Sequence, residues 1–148
     1  MGFELKCRLT DPTATIPVRH HGGSDAGADL SSIESFDLNP GDRRLASTGV
    51  SVEIPSGMLG FVVPRSGLAA QHGITIVNAP GLIDSGYRGE IMVCLLNTSS
   101  KTWHVNVGDR IAQLVVQSFV QATFVAVDRL DDSDRGERGF GSTGVAGR

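Results

Sequence analysis

Apolar residues in this chain come in short runs, several of them closed by Gly or Pro. Glu4–Leu9, Phe36–Leu38, Arg43–Leu45, Val50–Ile54, Gly60–Val63, Ile74–Val77, Glu90–Leu96, Lys101–Val107, Arg110–Gln117 and Gln121–Val127 read as strands. Turn signals separate them, among them Asn39-Pro40-Gly41-Asp42 and Pro55-Ser56-Gly57. Short strands with frequent turns and no sustained helical period predict an all-β sandwich or barrel. Glycine numbers 19 and aromatics make up only 5 % of the residues, which suits a core packed from small side chains. The exception to the β pattern is Ser66–Gly73, which predicts one short helix with Ser66 as N-cap and Gly73 at its end. A chain of 148 residues is expected to form one domain.

Bulk properties exclude several functions. A net charge of −3 gives no general attraction for nucleic acid or an anionic membrane, so any phosphate must meet a few placed arginines. No apolar run approaches transmembrane length. Met-Gly-Phe-Glu-Leu-Lys has no signal-like apolar core. Cys7 and Cys94 form no Cys-x-x-Cys pair, so reduced thiols and a cytoplasmic location are expected. The Asn97-Thr98-Ser99 sequon then carries no meaning.

Chemistry concentrates in four places. Residues 74–92 read as strand, turn, strand, and the turn carries a lone acid, Asp84, and the only tyrosine, Tyr87, among Gly81, Gly86 and Gly89. Glycines permit close backbone approach, so this turn suits a small flat ligand and a bond to be hydrolysed. A turn aspartate that bonds its own backbone and a tyrosine that covers apolar surface are the plainer reading. Asp29 sits among small and apolar residues and needs a partner if buried, either an arginine or the waters of a metal. Arg65, Ser66 and Gly67 stand where a helix start presents free N–H groups, an anion site or an ordinary capped turn. In the strand at 110–117, Arg110, Ala112, Leu114 and Val116 share one side by alternation, and Ile111, Gln113 and Val115 the other. Gln113 is an edge residue or a polar group aimed at a ligand. His20-His21 has no third metal ligand at useful spacing and reads as solvated loop. After Asp128 the chain turns polar and glycine-rich and is expected to be mobile. Gly136–Thr143 has the P-loop spacing, but Ser142 replaces its lysine and no helix follows.

In order along the chain, Ala26–Leu30, Pro64–Ala69, Gly81–Ile91, Gly108–Leu114 and Arg135–Gly144 resemble the five motifs of the trimeric dUTPase family. The match spans nearly the whole sequence. Arg138 departs from it, standing where the family usually has glycine. The resemblance implies a jelly-roll-type β-sandwich forming a homotrimer, with each active site drawing on all three subunits. The core would span residues 1–130, with a tail over 131–148 closing on the site.

The implied reaction is dUTP and water to dUMP and diphosphate, which keeps uracil out of DNA and supplies dUMP for thymidylate synthesis. By resemblance, Asp84 orients and deprotonates the attacking water. Arg65, Ser66 and Gly67 grip the β- and γ-phosphates, and Gln113 lies near the α-phosphate. Arg135, Gly141, Ser142 and Thr143 add tail contacts, and Phe140 stacks on uracil. Asn78, Leu82 and Ile83 frame the base, and Tyr87 packs where a ribose 2′-hydroxyl would go. Mg²⁺ is the implied cofactor, met by Asp29 through water, while Arg110 holds the structure by pairing with a carboxylate at the subunit boundary. A carboxylate is a weak base, so much of the rate must come from positioning and charge stabilisation. Two rivals share the architecture. A dCTP deaminase needs a glutamate base, and the turn offers only Asp84 and Tyr87. A catalytically dead binding module would not need Asp84, Arg65 and the tail.

Overall fold

The computed structural model describes residues 2–139. Their strands are β1 (Lys6–Leu9), β2 (Ala28–Ser31), β3 (Phe36–Leu38), β4 (Arg43–Ser47), β5 (Val50–Glu53), β6 (Met58–Val63), β7 (Ile74–Ile76), β8 (Gly81–Ile83), β9 (Met92–Asn97), β10 (Trp103–Val105) and β11 (Arg110–Ser118). One α-helix, α1 (Ser66–His72), joins β6 to β7. A four-stranded sheet runs β2-β11-β6-β8 and a three-stranded sheet β4-β9-β7, with the pairs β1-β5 and β10-β3 beside them, all antiparallel. This is a mostly β architecture with one short helix, consistent with a jelly roll. Among the described residues no helix is long and apolar enough to cross a membrane.

The core forms where strand alternation turns one face inward. In β9, Val93, Leu95 and Asn97 are buried between more exposed neighbours. Val93 and Leu95 meet Leu30, Leu38, Ile54, Ile74, Ile91 and Ile111 in one cluster, whose burial is the main stabilising term. Asn97 is fully buried yet satisfied. Its amide donates to the Leu38 and Lys101 carbonyls at 2.8 Å each and accepts from Ser99. Both cysteines are free thiols, and burial pushes the Cys7 pKa up.

The structure differs from the sequence reading in four places. β7 and β9 do pair, but the stretch between them is more than a turn: Gly81–Ile83 forms β8, which pairs with β6 in the other sheet. In β11 a register shift between Arg110 and Ala112 breaks the alternation. Ile111 and Ala112 are both buried, at 1 % and 0 % exposure, and Arg110 reaches the same carboxylate as Gln113. Ser66 is the first helical residue, not the cap. Arg65 occupies the cap position, and no side chain caps the helix. Gly73 does end it, in the left-handed conformation at φ 66°. Finally, Gln121–Val127 is not a strand. It lies exposed and pairs with no strand among the described residues.

Candidate active site

Asp29 is the centre of one half of the site. β2 places it opposite Gln113 of β11, and its N–H donates to the Val18 carbonyl at 2.9 Å. That bridge draws the 18–20 loop alongside, and His20 comes with it. The Asp29 side chain is 6 % exposed. Arg65 Nε and Gln113 Nε2 approach Oδ1 at 3.2 and 3.1 Å, and Arg110 Nη1 and His20 Nε2 approach Oδ2 at 3.1 and 3.2 Å. Arg65 also donates to the Arg110 carbonyl at 3.1 Å. Gly27 makes room for this arrangement, since a Cβ there would stand 3.1 Å from the Gln113 side chain. The register shift at Ile111 is what lets Arg110 and Gln113 serve one carboxylate. Ser66 and Gly67 are exposed at the start of α1 beside this cluster.

The other half surrounds Asp84, which follows β8. It is exposed, and its carboxylate has no hydrogen-bond or ion-pair partner among the described residues. Its carbonyl accepts from the Tyr87 N–H at 3.0 Å, so the turn is closed by backbone and the carboxylate stays free. A cavity of about 330 Å³ lies here, lined by Leu45, Leu82, Ile83, Asp84, Tyr87, Glu90 and Met92. Leu45, Leu82 and Met92 are 55 %, 56 % and 39 % exposed, an apolar patch around a free acid. Asn78 lies over buried Gly81, where an added Cβ would stand 3.3 Å from its Nδ2. A larger cavity, about 480 Å³, opens beside Ala26 and Ala28 and is lined by Leu5, Cys7, Val52 and Val116. Neither Asp84 nor Arg65 lines it.

Among the described residues no hydrogen bond or ion pair joins the two halves. Ile83 pairs with Gly60 near the beginning of β6, whereas Arg65 follows the end of that strand. At the extended rise of ~3.3 Å per residue, the run from Gly60 to Arg65 spans roughly 16 Å. Arg65, Gln113, Arg110 and Asp29 therefore form one cluster, and Asp84, Tyr87, Leu82 and Ile83 another. Arg135 is exposed in a local turn, its Nε donating to the Arg138 carbonyl at 3.0 Å. Phe140, Gly141, Ser142 and Thr143 lie outside the described residues.

Sequence reasoning missed two residues. His20, read as solvated loop, touches Asp29, and no spacing rule connects a loop histidine to a strand acid. Glu90, read as the first residue of a strand, instead accepts from the Thr48 and Gly49 N–H groups at 3.0 and 2.8 Å. For a magnesium ion the donor set is sparse. No group of three or more acidic, His or Cys side chains gathers among the described residues. Asp29 already accepts three side-chain hydrogen bonds on its two oxygens, with His20 Nε2 beside Oδ2. A carboxylate offers about four acceptor positions. An ion met through water would fit Asp29 only if one of these donors gave up its oxygen.

The dUTPase family profile matches residues 13–144. The deoxyuridine 5'-triphosphate nucleotidohydrolase of Leifsonia xyli is 58 % identical over 130 residues, covering 87 % of this chain and 85 % of the relative. That of Thermobifida fusca is 53 % identical over 141 residues, covering 95 % and 78 %. Among solved structures, a point mutant of the Staphylococcus bacteriophage 80alpha dUTPase with dUpNHpp superposes with a TM-score of 0.88 at 29 % identity, covering 96 % of this chain and 99 % of that one. A point mutant of the dUTPase from phage phi11 of S. aureus, described as coordinating a structural Mg(II) ion, gives 0.81 at 27 % identity, covering 88 % and 100 %. With matched residues running from the loop before Asp29 into the tail, this chain belongs to the dUTPase family.

Proposed function

We propose that this chain hydrolyses dUTP to dUMP and diphosphate as a homotrimer, each active site built from groups of neighbouring copies. The division of the site carries this reading. A free acid beside an apolar cavity lies at one end of β6, and a cationic cluster lies at the other. Neither half suffices: an acid without cations repels a triphosphate, and cations without a base only bind it. Rotation about a threefold axis presents the Asp84 end of one copy to the Arg65 end of the next. A second support is the segment after β11. Val120, Phe124, Val125 and Leu130 are 93 %, 96 %, 75 % and 80 % exposed. So much apolar surface, in a segment with strand-like sequence, suits pairing with another copy.

In the assembled site Asp84 accepts a hydrogen bond from water and takes its proton as the oxygen attacks the α-phosphorus in line. Arg65 exchanges Asp29 for the β- and γ-phosphates, joined by the Ser66 and Gly67 N–H groups. Gln113 steadies the α-phosphate, and Arg110 stays on Asp29 to hold the cluster. Asn78, Leu82 and Ile83 frame the uracil. The close backbone between Asn78 and Gly81 rejects a 5-methyl group by overlap. Tyr87 packs against the deoxyribose. Arg135 and Phe140, Gly141, Ser142 and Thr143 close over the nucleotide and exclude water from other paths. A magnesium ion, met through water by Asp29, would neutralise charge on the phosphate oxygens.

Two inactive variants test both parts of this reading. Asp84→Asn removes the base and Arg65→Ala the grip, and each alone should bring diphosphate release from dUTP to background. Unfolded together and refolded as mixed trimers, they should regain about a quarter of native activity if the two groups come from different copies. No recovery on mixing refutes the shared site. A panel of dUTP, dTTP, dCTP and UTP with product identification fixes the substrate.

A further inference from the structure

Tyr87 has a single polar tether. Its hydroxyl donates to the Glu90 carbonyl at 2.9 Å, and its ring lies over Gly89, where an added Cβ would stand against the phenol. The ring is 44 % exposed, so little else fixes it. What fixes the acceptor is the side chain of the same residue. Glu90 Oε1 accepts two backbone N–H groups, from Thr48 at 3.0 Å and Gly49 at 2.8 Å. The next residue is held as firmly. The Thr48 hydroxyl donates to the Ile91 carbonyl at 2.5 Å, and the Ile91 N–H donates to the Val50 carbonyl at 2.7 Å. The wall behind is rigid. Gly49 is buried at φ 66°, and a Cβ there would fall 2.6 Å from that of Ala14. The Tyr87 N–H returns to the Asp84 carbonyl at 3.0 Å, so one anchor serves the acid and the aromatic together.

We propose that Glu90 is a positioning residue for sugar selectivity: its carboxylate pins the 87–91 segment to the Thr48–Gly49 turn, and this pinning holds the Tyr87 ring where it excludes a ribose 2′-hydroxyl. The inference rests on the role given to Tyr87 above. Neither the charge nor the acidity of Glu90 is used. An oxygen that accepts two N–H groups is sufficient, so an amide serves as well.

The measurement is the ratio of kcat/KM for dUTP to that for UTP, on trimers of verified fold. Glu90→Leu keeps side-chain bulk and removes both acceptor bonds, and the ratio should fall by about tenfold. Glu90→Gln retains an acceptor oxygen and should keep the native ratio. Tyr87→Phe removes only the tether and should lower the ratio in the same direction, so it decides the question if the leucine variant does not fold. A folded Glu90→Leu enzyme with native selectivity, beside a Tyr87→Ala enzyme that has lost it, overturns the positioning role. Loss of selectivity in Glu90→Gln equal to that in Glu90→Leu also overturns it. An unchanged ratio in Tyr87→Ala removes the reading of Tyr87, and this inference with it.

Discussion

Replacing Asp29 by asparagine isolates the contribution of the buried carboxylate with almost no change in volume. In the asparagine variant one oxygen still accepts from Arg65 and Gln113. The other position becomes an NH₂ that faces Arg110 Nη1 and His20 Nε2, which now lie 3.1 and 3.2 Å from Oδ2. The bond from Arg110 to a charged oxygen is lost, worth ~1.5–3 kcal/mol when fully desolvated, and Arg65 and Gln113 now donate to a neutral oxygen. Asp29 is 7 % exposed, but the Arg110 and His20 side chains are 44 % and 49 % exposed. Water therefore recovers much of the loss, as it does for other half-exposed ion pairs, leaving about 2 kcal/mol. For a chain of this size each 1 kcal/mol moves Tm by ~2–4 °C, so the variant should melt about 6 °C lower. Calorimetry must use equal chain concentrations, because assembly shifts apparent Tm. A shift below about 1 °C would refute the argument that this cluster holds β2 to β11.

Three further outcomes are expected. Gly89→Ala places a Cβ against the Tyr87 phenol and should lower kcat/KM for dUTP by roughly tenfold with little change in Tm, since the position is exposed; native kcat/KM would show that the ring does not need its present seat. Ending the chain after Asp134 should leave a trimer by light scattering with little turnover, whereas ending it after Ser118 should yield monomer; a trimeric Ser118 truncation would exclude residues 119–134 from assembly. The His104 pKa is raised by its hydrogen bond to Asp37 at 2.5 Å, so the stabilisation of the β3–β10 pair is fully present below the unfolded value of about 6.5 and is lost as pH rises through the raised folded value. NMR titration of His104 should show that upward shift in the native chain and its loss in Asp37→Asn.

Sequence served well where local chemistry decides. Gly73 ends α1 because only glycine takes a left-handed bend without strain, and its place after the helix formers Leu68 and Ala69 makes that visible in the sequence. Asp29 had to find a partner once buried, and two arginines supply it. Reading failed where distant strands decide. β8 spans only Gly81–Ile83, too short to show a period, and it exists because β6 offers an edge. The extra residue at Ile111 reverses the faces of Arg110 and Ile111, which alternation from Gln113 cannot foresee. His20 reaches Asp29 through the Val18 bridge, a contact with no sequence mark. The 121–127 segment has the residues of a strand but pairs with no strand among the described residues, so its pattern alone does not decide its conformation.

The interior seat of Asn97 has a consequence for making the protein. A sugar-transferring enzyme acts on an extended acceptor asparagine, and here that amide ends up walled in by the Leu38 and Lys101 carbonyls. If the chain were exported through a glycosylating compartment, a glycan added before folding would have nowhere to go inside the core. Yield in such a host would depend on a race between modification and folding, and Asn97 is the position at which the race is lost.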